Sequence, residues 1–161
     1  MRTYLREGNN RREISEARLG TEGVFYRKMS IDPEVYTPIV KGWGMAIHKH
    51  LVVSREMDDL EAHLAKVSAE HTHPTDEVRF ILGGSSIFHI RSRDDVWMDI
   101  HVESGDLIVI PKDRYHCDSL TDEAMMKLIL LRWNGLEHPE RATHYRPGSR
   151  PRPRLPQGFP E

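Results

Sequence analysis

Three histidines and a glutamate occur here at a spacing that leaves the chain few folds. The stretch Glu70 to Gly84, EHTHPTDEVRFILGG, has the form His-x-His-x3-Glu-x6-Gly, and Gly105 to His116, GDLIVIPKDRYH, has the form Gly-x5-Pro-x-Asp-x2-His. Residues two apart on a β-strand share a face, so His71 and His73 aim two imidazoles at one point. Glu77 joins them once the chain has turned at Pro74. His116 arrives after a segment that reads as three strands, as a ligand from a neighbouring strand of a small barrel would. Imidazole suits iron, nickel, copper and zinc, and no thiolate is on offer to make a closed structural site. Four protein ligands around an octahedral ion leave two positions open, which describes a catalytic non-haem metal site.

The strand pattern agrees with that geometry. Val78 to Leu82, Ile87 to Arg91, Val96 to Val102 and Leu107 to Ile110 are separated by Gly83-Gly84, Ser92 to Asp95, Glu103 to Gly105 and Pro111 to Asp113. Short strands punctuated by such turns predict an all-β sandwich or barrel. After His116, Asp118 to Glu123 reads as a polar loop and Met125 to Leu131 as a buried closing strand.

The two motifs resemble the paired cupin motifs. The longer string EHTHPTDEVRFILGGSSIFHIRSRDDVWMDIHVESGDLIVIPKDRYH closely resembles the acireductone dioxygenases, cupin enzymes of methionine salvage. The likeness is strong from Glu70 to His116 and traceable from about Gly23 to about Pro147. It implies a double-stranded β-helix (jelly-roll) barrel with a few peripheral helices, and it places His71, His73, Glu77 and His116 on the family's metal ligands. It also implies Fe2+, alternatively Ni2+, as cofactor, with O2 and acireductone or a related enediol as substrates. An enediol can chelate such a metal through its two oxygens, the metal acting as Lewis acid and template for carbon–carbon cleavage. Arg79, two beyond Glu77 on the same side of the strand, matches a family arginine that would stabilise an anionic substrate oxygen, the other reading being a salt bridge. Asp76 matches a family acid and would act on substrate protons, or else sit in an exposed loop.

The same comparison shows departures. Where the family reads Arg-Phe after the last ligand, this chain has Cys117-Asp118; the family's pocket arginine aligns with Leu130, and its later tryptophan with His138. The metal shell is kept and the substrate wall is rebuilt. Two other functions remain open from the residues alone: a cupin isomerase or lyase that only polarises a carbonyl, and a non-catalytic metal or small-molecule binding cupin.

Composition excludes some partners. The 161 residues suit one domain, and a net charge of -2 gives no field for nucleic acid or an anionic membrane. The single cysteine, Cys117, cannot form an internal disulfide, so a reducing compartment is expected. With no apolar signal core at the N-terminus and no long apolar run, the expectation is a cytoplasmic protein without membrane contact, a monomer or homodimer.

Around the barrel, Met1 to Glu22 reads as a loosely docked arm, residues 23–145 as a single cupin domain and residues 146–161, rich in Pro and Arg, as a flexible tail. Gly23 to Met29 alternates as a strand. Asp32-Pro33-Glu34 starts a helix that Pro38 should keep short. Trp43 to Val53 is ambiguous; its His48 and His50 form a second His-x-His pair, but no acid lies at ligand spacing, so they read as ordinary strand or loop histidines. Ser54 opens a helix to about Val67, with Met57, Leu60, Leu64 and Val67 on one face and His63 off it in solvent. His89 and His101 read as packing or surface residues.

Overall fold

The computed structural model describes residues 1–139 and 142–149. Their eleven strands and three helices form two antiparallel sheets that share one long strand. In chain order these are β1 (Arg2–Glu7), β2 (Asn10–Glu13), α1 (Glu16–Thr21), β3 (Phe25–Lys28), α2 (Pro33–Gly42), β4 (Met45–Val53), α3 (Leu60–Ser68), β5 (His71–Thr72), β6 (Glu77–Arg91), β7 (Trp97–Glu103), β8 (Asp106–Ile110), β9 (His116–Leu120), β10 (Met126–Trp133) and β11 (His144–Tyr145).

β6 joins what the sequence divides into two strands. Its first half pairs with β10 and β8, and its second half, from Ser85, pairs with β7 and β9. The hinge is Gly83-Gly84. Gly84 has φ 69°, and a Cβ there would lie 2.0 Å from the Met125 carbonyl oxygen. Only glycine lets β10 cross that close while the strand passes from one sheet to the other. Gly84→Ala is therefore expected to cost at least about 3 kcal/mol, combining left-handed strain with a backbone clash; the midpoint of urea unfolding measures it.

Between the sheets lies a core of Ile81, Phe88, Ile90, Met98, Ile100, Ile108, Leu128 and Leu130, closed at one side by Leu60 and Leu64 of α3. A second cluster lies on the outer face of the β4–β10–β6–β8 sheet, where Tyr36 and Val40 of α2 cover Phe80, Leu107, Ile129 and Leu131. This burial explains why α2 runs on past Pro38. Asp32 caps it by accepting the Glu34 N–H at 2.9 Å, Pro33 fits the first turn, and the Tyr36–Val40 face outweighs the one donor that Pro38 removes.

Other elements also differ from expectation. The first twenty-two residues are built into the fold: β1 adds to the edge of β7, with Thr3 opposite Ile100, and Leu19 of α1 is fully buried. A buried acid anchors that hairpin. The Asp99 carboxylate accepts from Arg6, pairs with Arg11 at 3.3 Å and hydrogen-bonds His89 at 2.7 Å. Burial would raise its pKa, but His89 and Arg6 hold it well below the usual carboxylate range. His89 completes the chain through Ser119 at 2.9 Å, so this histidine is a packing residue, as expected.

α3 begins at Leu60 rather than Ser54, because the Ser54 hydroxyl closes a local turn with Glu56 at 2.6 Å and the Met57 N–H bonds the Ser54 carbonyl. Of the loop expected over Asp118 to Glu123, Thr121 to Glu123 is a turn, but Asp118 to Leu120 belongs to β9, held along β6 from Ile90 opposite His116 to Ser86 opposite Leu120. Its polar residues alternate between a cavity and the outer face, which is why they read as a loop. The ambiguous stretch before α3 is β4, paired along β10.

Candidate metal centre

β5, β6 and β9 bring the motif side chains together. His71 stands directly opposite His116, so the two rings share a face and their centroids lie 4.5 Å apart. His73 follows β5 at the turn into β6, whose first residue is Glu77. One ligand atom from each of His71, His73, Glu77 and His116 lies within 4.8 Å of all the others, and all four residues are buried.

The backbone fixes which atoms face inward. The Nδ1 of His71 lies 2.6 Å from the Ala69 carbonyl, that of His73 3.1 Å from the Ala142 carbonyl, and that of His116 2.9 Å from the Arg114 carbonyl. A carbonyl only accepts, so each Nδ1 carries the proton and each Nε2 presents a lone pair. Glu77 Oε2 sits 3.0 Å from His73 Nε2 and 3.5 Å from His116 Nε2, and His116 Nε2 is buried without a hydrogen bond. Four buried electron-pair donors converging on one point make a cavity shaped for a cation, with the outer carbonyls orienting the rings. The residues fit a divalent metal.

Electrostatics favour the same state. Burial and the neighbouring His116 push the His71 pKa down to about 4, leaving it neutral and able to ligate at physiological pH. Burial alone would raise the Glu77 carboxyl, but the Arg79 guanidinium holds it well below the usual range. Its Oε1 meets Arg79 Nη2 at 3.1 Å while Oε2 faces the histidines.

A cavity of about 210 Å³ opens on this cluster. Arg79, Phe88, Met126, Leu128 and Leu130 line it beside His71, His73 and Glu77, and Asp118 enters from β9, two residues beyond His116. Asp76 does not line this cavity: its carboxylate accepts the Lys112 N–H at 2.9 Å, pinning the turn that precedes His116. Cys117 points to the other face of β9, where burial pushes its thiol up to about 12 and favours the protonated form. His138 stacks on His48, centroids 4.0 Å apart.

Three features escaped the sequence. His63 is half-buried and lines the cavity rather than standing in solvent. Lys49 and Lys66 line it too. The segment from Ala142 to Ser149 straps the metal strand: β11 pairs His144 with Thr72 and Tyr145 with His71, and Arg146 donates to Glu70 and Asp95. Arg146 to Ser149, expected as the start of a flexible tail, is thus bonded to Glu70, while residues 150–161 lie outside the described residues. Ending the chain at Arg141 removes the acceptor of His73 Nδ1, and metal affinity is expected to fall by about 10–100-fold in a competitive chelator titration.

Comparison with known proteins settles the family. The ARD/ARD' family model matches residues 9–132. The chain belongs to this family. An acireductone dioxygenase of Heterostelium pallidum is 33% identical over 124 residues, covering 76% of this chain and 84% of its own length. One from Schizosaccharomyces pombe is 35% identical, covering 72% of this chain and 71% of that protein. The acireductone dioxygenase of Bacillus anthracis, solved with a cadmium ion in its active centre, superposes with a TM-score of 0.72 at 25% identity, over 83% of this chain and 93% of that one. As an ARD/ARD' member the chain is a metal-dependent dioxygenase with the expected all-β cupin barrel, and the barrel's metal-motif residues are those that meet here. Among the described residues, no helix is long and apolar enough to cross a membrane, which says nothing of strands.

Proposed function

We propose that the protein cleaves carbon–carbon bonds of an enediol, acireductone or a relative, with dioxygen, using His71, His73, Glu77 and His116 to hold Fe2+, alternatively Ni2+, in a cytoplasmic, methionine-salvage type of reaction. The observation that carries this reading is the convergence of three Nε2 lone pairs and one carboxylate oxygen within 4.8 Å, at the floor of a cavity large enough for a small molecule. A divalent metal bound there would supply Lewis acidity and open positions for two vicinal oxygens.

The chain's own residues do the rest. The carbonyls of Ala69, Ala142 and Arg114 keep the three imidazoles in the ligating tautomer. Arg79 holds one Glu77 oxygen and presents its guanidinium at the cavity, where an enediolate oxygen would gain an ionic hydrogen bond. Buried Phe88, Leu128 and Leu130 exclude water from the reacting end and strengthen that interaction. Asp76 acts at one remove, by fixing the turn before His116.

The test is oxygen uptake by iron-loaded protein offered acireductone and a panel of simpler enediols, with nickel-loaded protein in parallel. Uptake that requires both metal and enediol is expected. A metal-loaded sample that consumes no oxygen with any enediol, or that turns one over without oxygen, overturns the reading.

A further inference from the structure

The cavity above the metal cluster carries cations that the reaction at its floor does not use. On adjacent strands Arg79, Leu130 and Lys49 form one row: Leu130 is directly opposite Arg79 on β6 and Lys49 on β4. Directly opposed residues share a face, so Lys49 looks into the cavity across Leu130, two strand spacings or about 10 Å from the backbone of Arg79.

A bulge produces this aim. The β4–β10 register slips between Leu130 and Leu131, so that Leu131 faces Ile47 and His48 is the extra residue. Without the slip His48 would point inward and Lys49 outward; with it, His48 turns away to stack on His138, and Lys49 and Leu51 line the cavity. From the opposite side α3 contributes His63, Lys66 and Val67, at spacings of three and four that share a helical face.

Burial orders these residues by depth. Phe88, Met126, Leu128 and Leu130 are buried, Leu51, Met57 and Val67 are half-buried, and Lys49 and Lys66 are exposed. The way out from the metal cluster therefore runs over an apolar wall to a pair of ammonium groups. Among the described residues neither lysine has a carboxylate or hydrogen-bonding partner, whereas Asp118, the other acid at the cavity besides Glu77, is already engaged. Two lysines with no counter-ion among the described residues, at the exposed end of an apolar slot, favour a ligand that is anionic at its outer end.

We propose that this protein selects substrates whose metal-chelating end is joined by a short apolar arm to an anionic group, a carboxylate or a phosphate-type group, and that Lys49 and Lys66 are the residues that select it. The assignment of a substrate rests on the dioxygenase reading, but selection of the anionic end is tested apart from turnover. The probes are 2-oxo acids, which offer two vicinal oxygens to a metal, titrated by calorimetry into zinc-loaded protein. The pair 2-oxopentanoate and 2-oxoglutarate differs only in a terminal methyl or carboxylate, and 2-oxo-4-phosphonobutanoate replaces that carboxylate with a phosphonate.

At least tenfold tighter binding of one or both of the dianionic probes is expected, with the preferred one identifying the anion. The preference should shrink with added salt and vanish in the Lys49→Met/Lys66→Met double variant, while 2-oxopentanoate binds both proteins equally. Equal binding of all three probes by the wild type, no binding of any, or a double variant that weakens 2-oxopentanoate as much as the others overturns the proposal. Failure of the dioxygenase reading looks different: no enediol drives oxygen uptake, whatever the calorimetry shows.

Discussion

Glu77→Ala is expected to lower bound metal from about one per chain to background and to abolish oxygen uptake, and to do so together with a loss of fold stability that His116→Ala does not match. Both side chains belong to the same cluster, so either change removes a donor from the metal. They differ in what they leave behind. Glu77 is buried with one oxygen on Arg79 and the other facing two histidines, so its removal takes one carboxylate from a buried guanidinium beside the imidazoles. Breaking a buried ion pair from one side typically costs about 3–5 kcal/mol. His116 Nε2 makes no hydrogen bond, so His116→Ala takes no counter-charge from a buried ion and gives up the Arg114 contact and the ring's packing against His71 and His73. Elemental analysis and thermal unfolding in chelator separate the two losses. A Glu77→Ala protein that retains one metal per chain would remove the carboxylate from the ligand set, and equal melting of the two apoproteins would remove the ion-pair argument.

The metal motif was legible because its spacing is itself geometry. Two histidines with one residue between them share a face of any extended strand, and turn residues bracket each neighbouring strand. The all-β barrel follows from the same punctuation. The orienting carbonyls were not legible, since Ala69, Arg114 and Ala142 contribute backbone atoms, and any residue type offers the same oxygen.

The other misses have one cause: local chemistry that reads two ways until pairing decides. Gly83-Gly84 is a turn signal in most contexts, yet here each half of β6 finds partners in a different sheet and the glycines become a bend. Ser54 is a good helix cap by type, but its hydroxyl is taken by Glu56 two residues on. Arg-rich, apolar-poor residues 1–22 read as an arm because the Asp99 carboxylate that gathers Arg6 and Arg11 lies far along the chain. Lys49 could not be placed at all. Its direction depends on a one-residue slip in β10 pairing, and strand alternation counted from either end of β4 gives the opposite answer at the other end.

Arg79→Ala is expected to lower kcat by about 10²–10³-fold, or roughly 3–4 kcal/mol, the range seen when a preorganised donor to a developing anion is removed. The guanidinium stands between Glu77 and the cavity. It lies 3.1 Å from Glu77 Oε1, and it lines the cavity at the level of the metal cluster, where a chelated enediol would place its oxygens. A role confined to steadying Glu77 and a role at the substrate therefore predict different things. In the first, Arg79→Ala releases the carboxylate, metal affinity falls, and saturating metal restores turnover. In the second, metal stays near one per chain while kcat remains low at saturating metal and substrate, because the lost interaction grows as negative charge develops on the substrate oxygen. The cavity position favours the second. Arg79→Lys keeps the charge but cannot span Glu77 and a substrate oxygen with a planar fork, so it should fall between wild type and alanine. Guanidinium added to the Arg79→Ala protein should recover part of kcat without changing metal content. Recovery by metal alone would assign Arg79 to the ligand shell and leave the substrate oxygen to the metal.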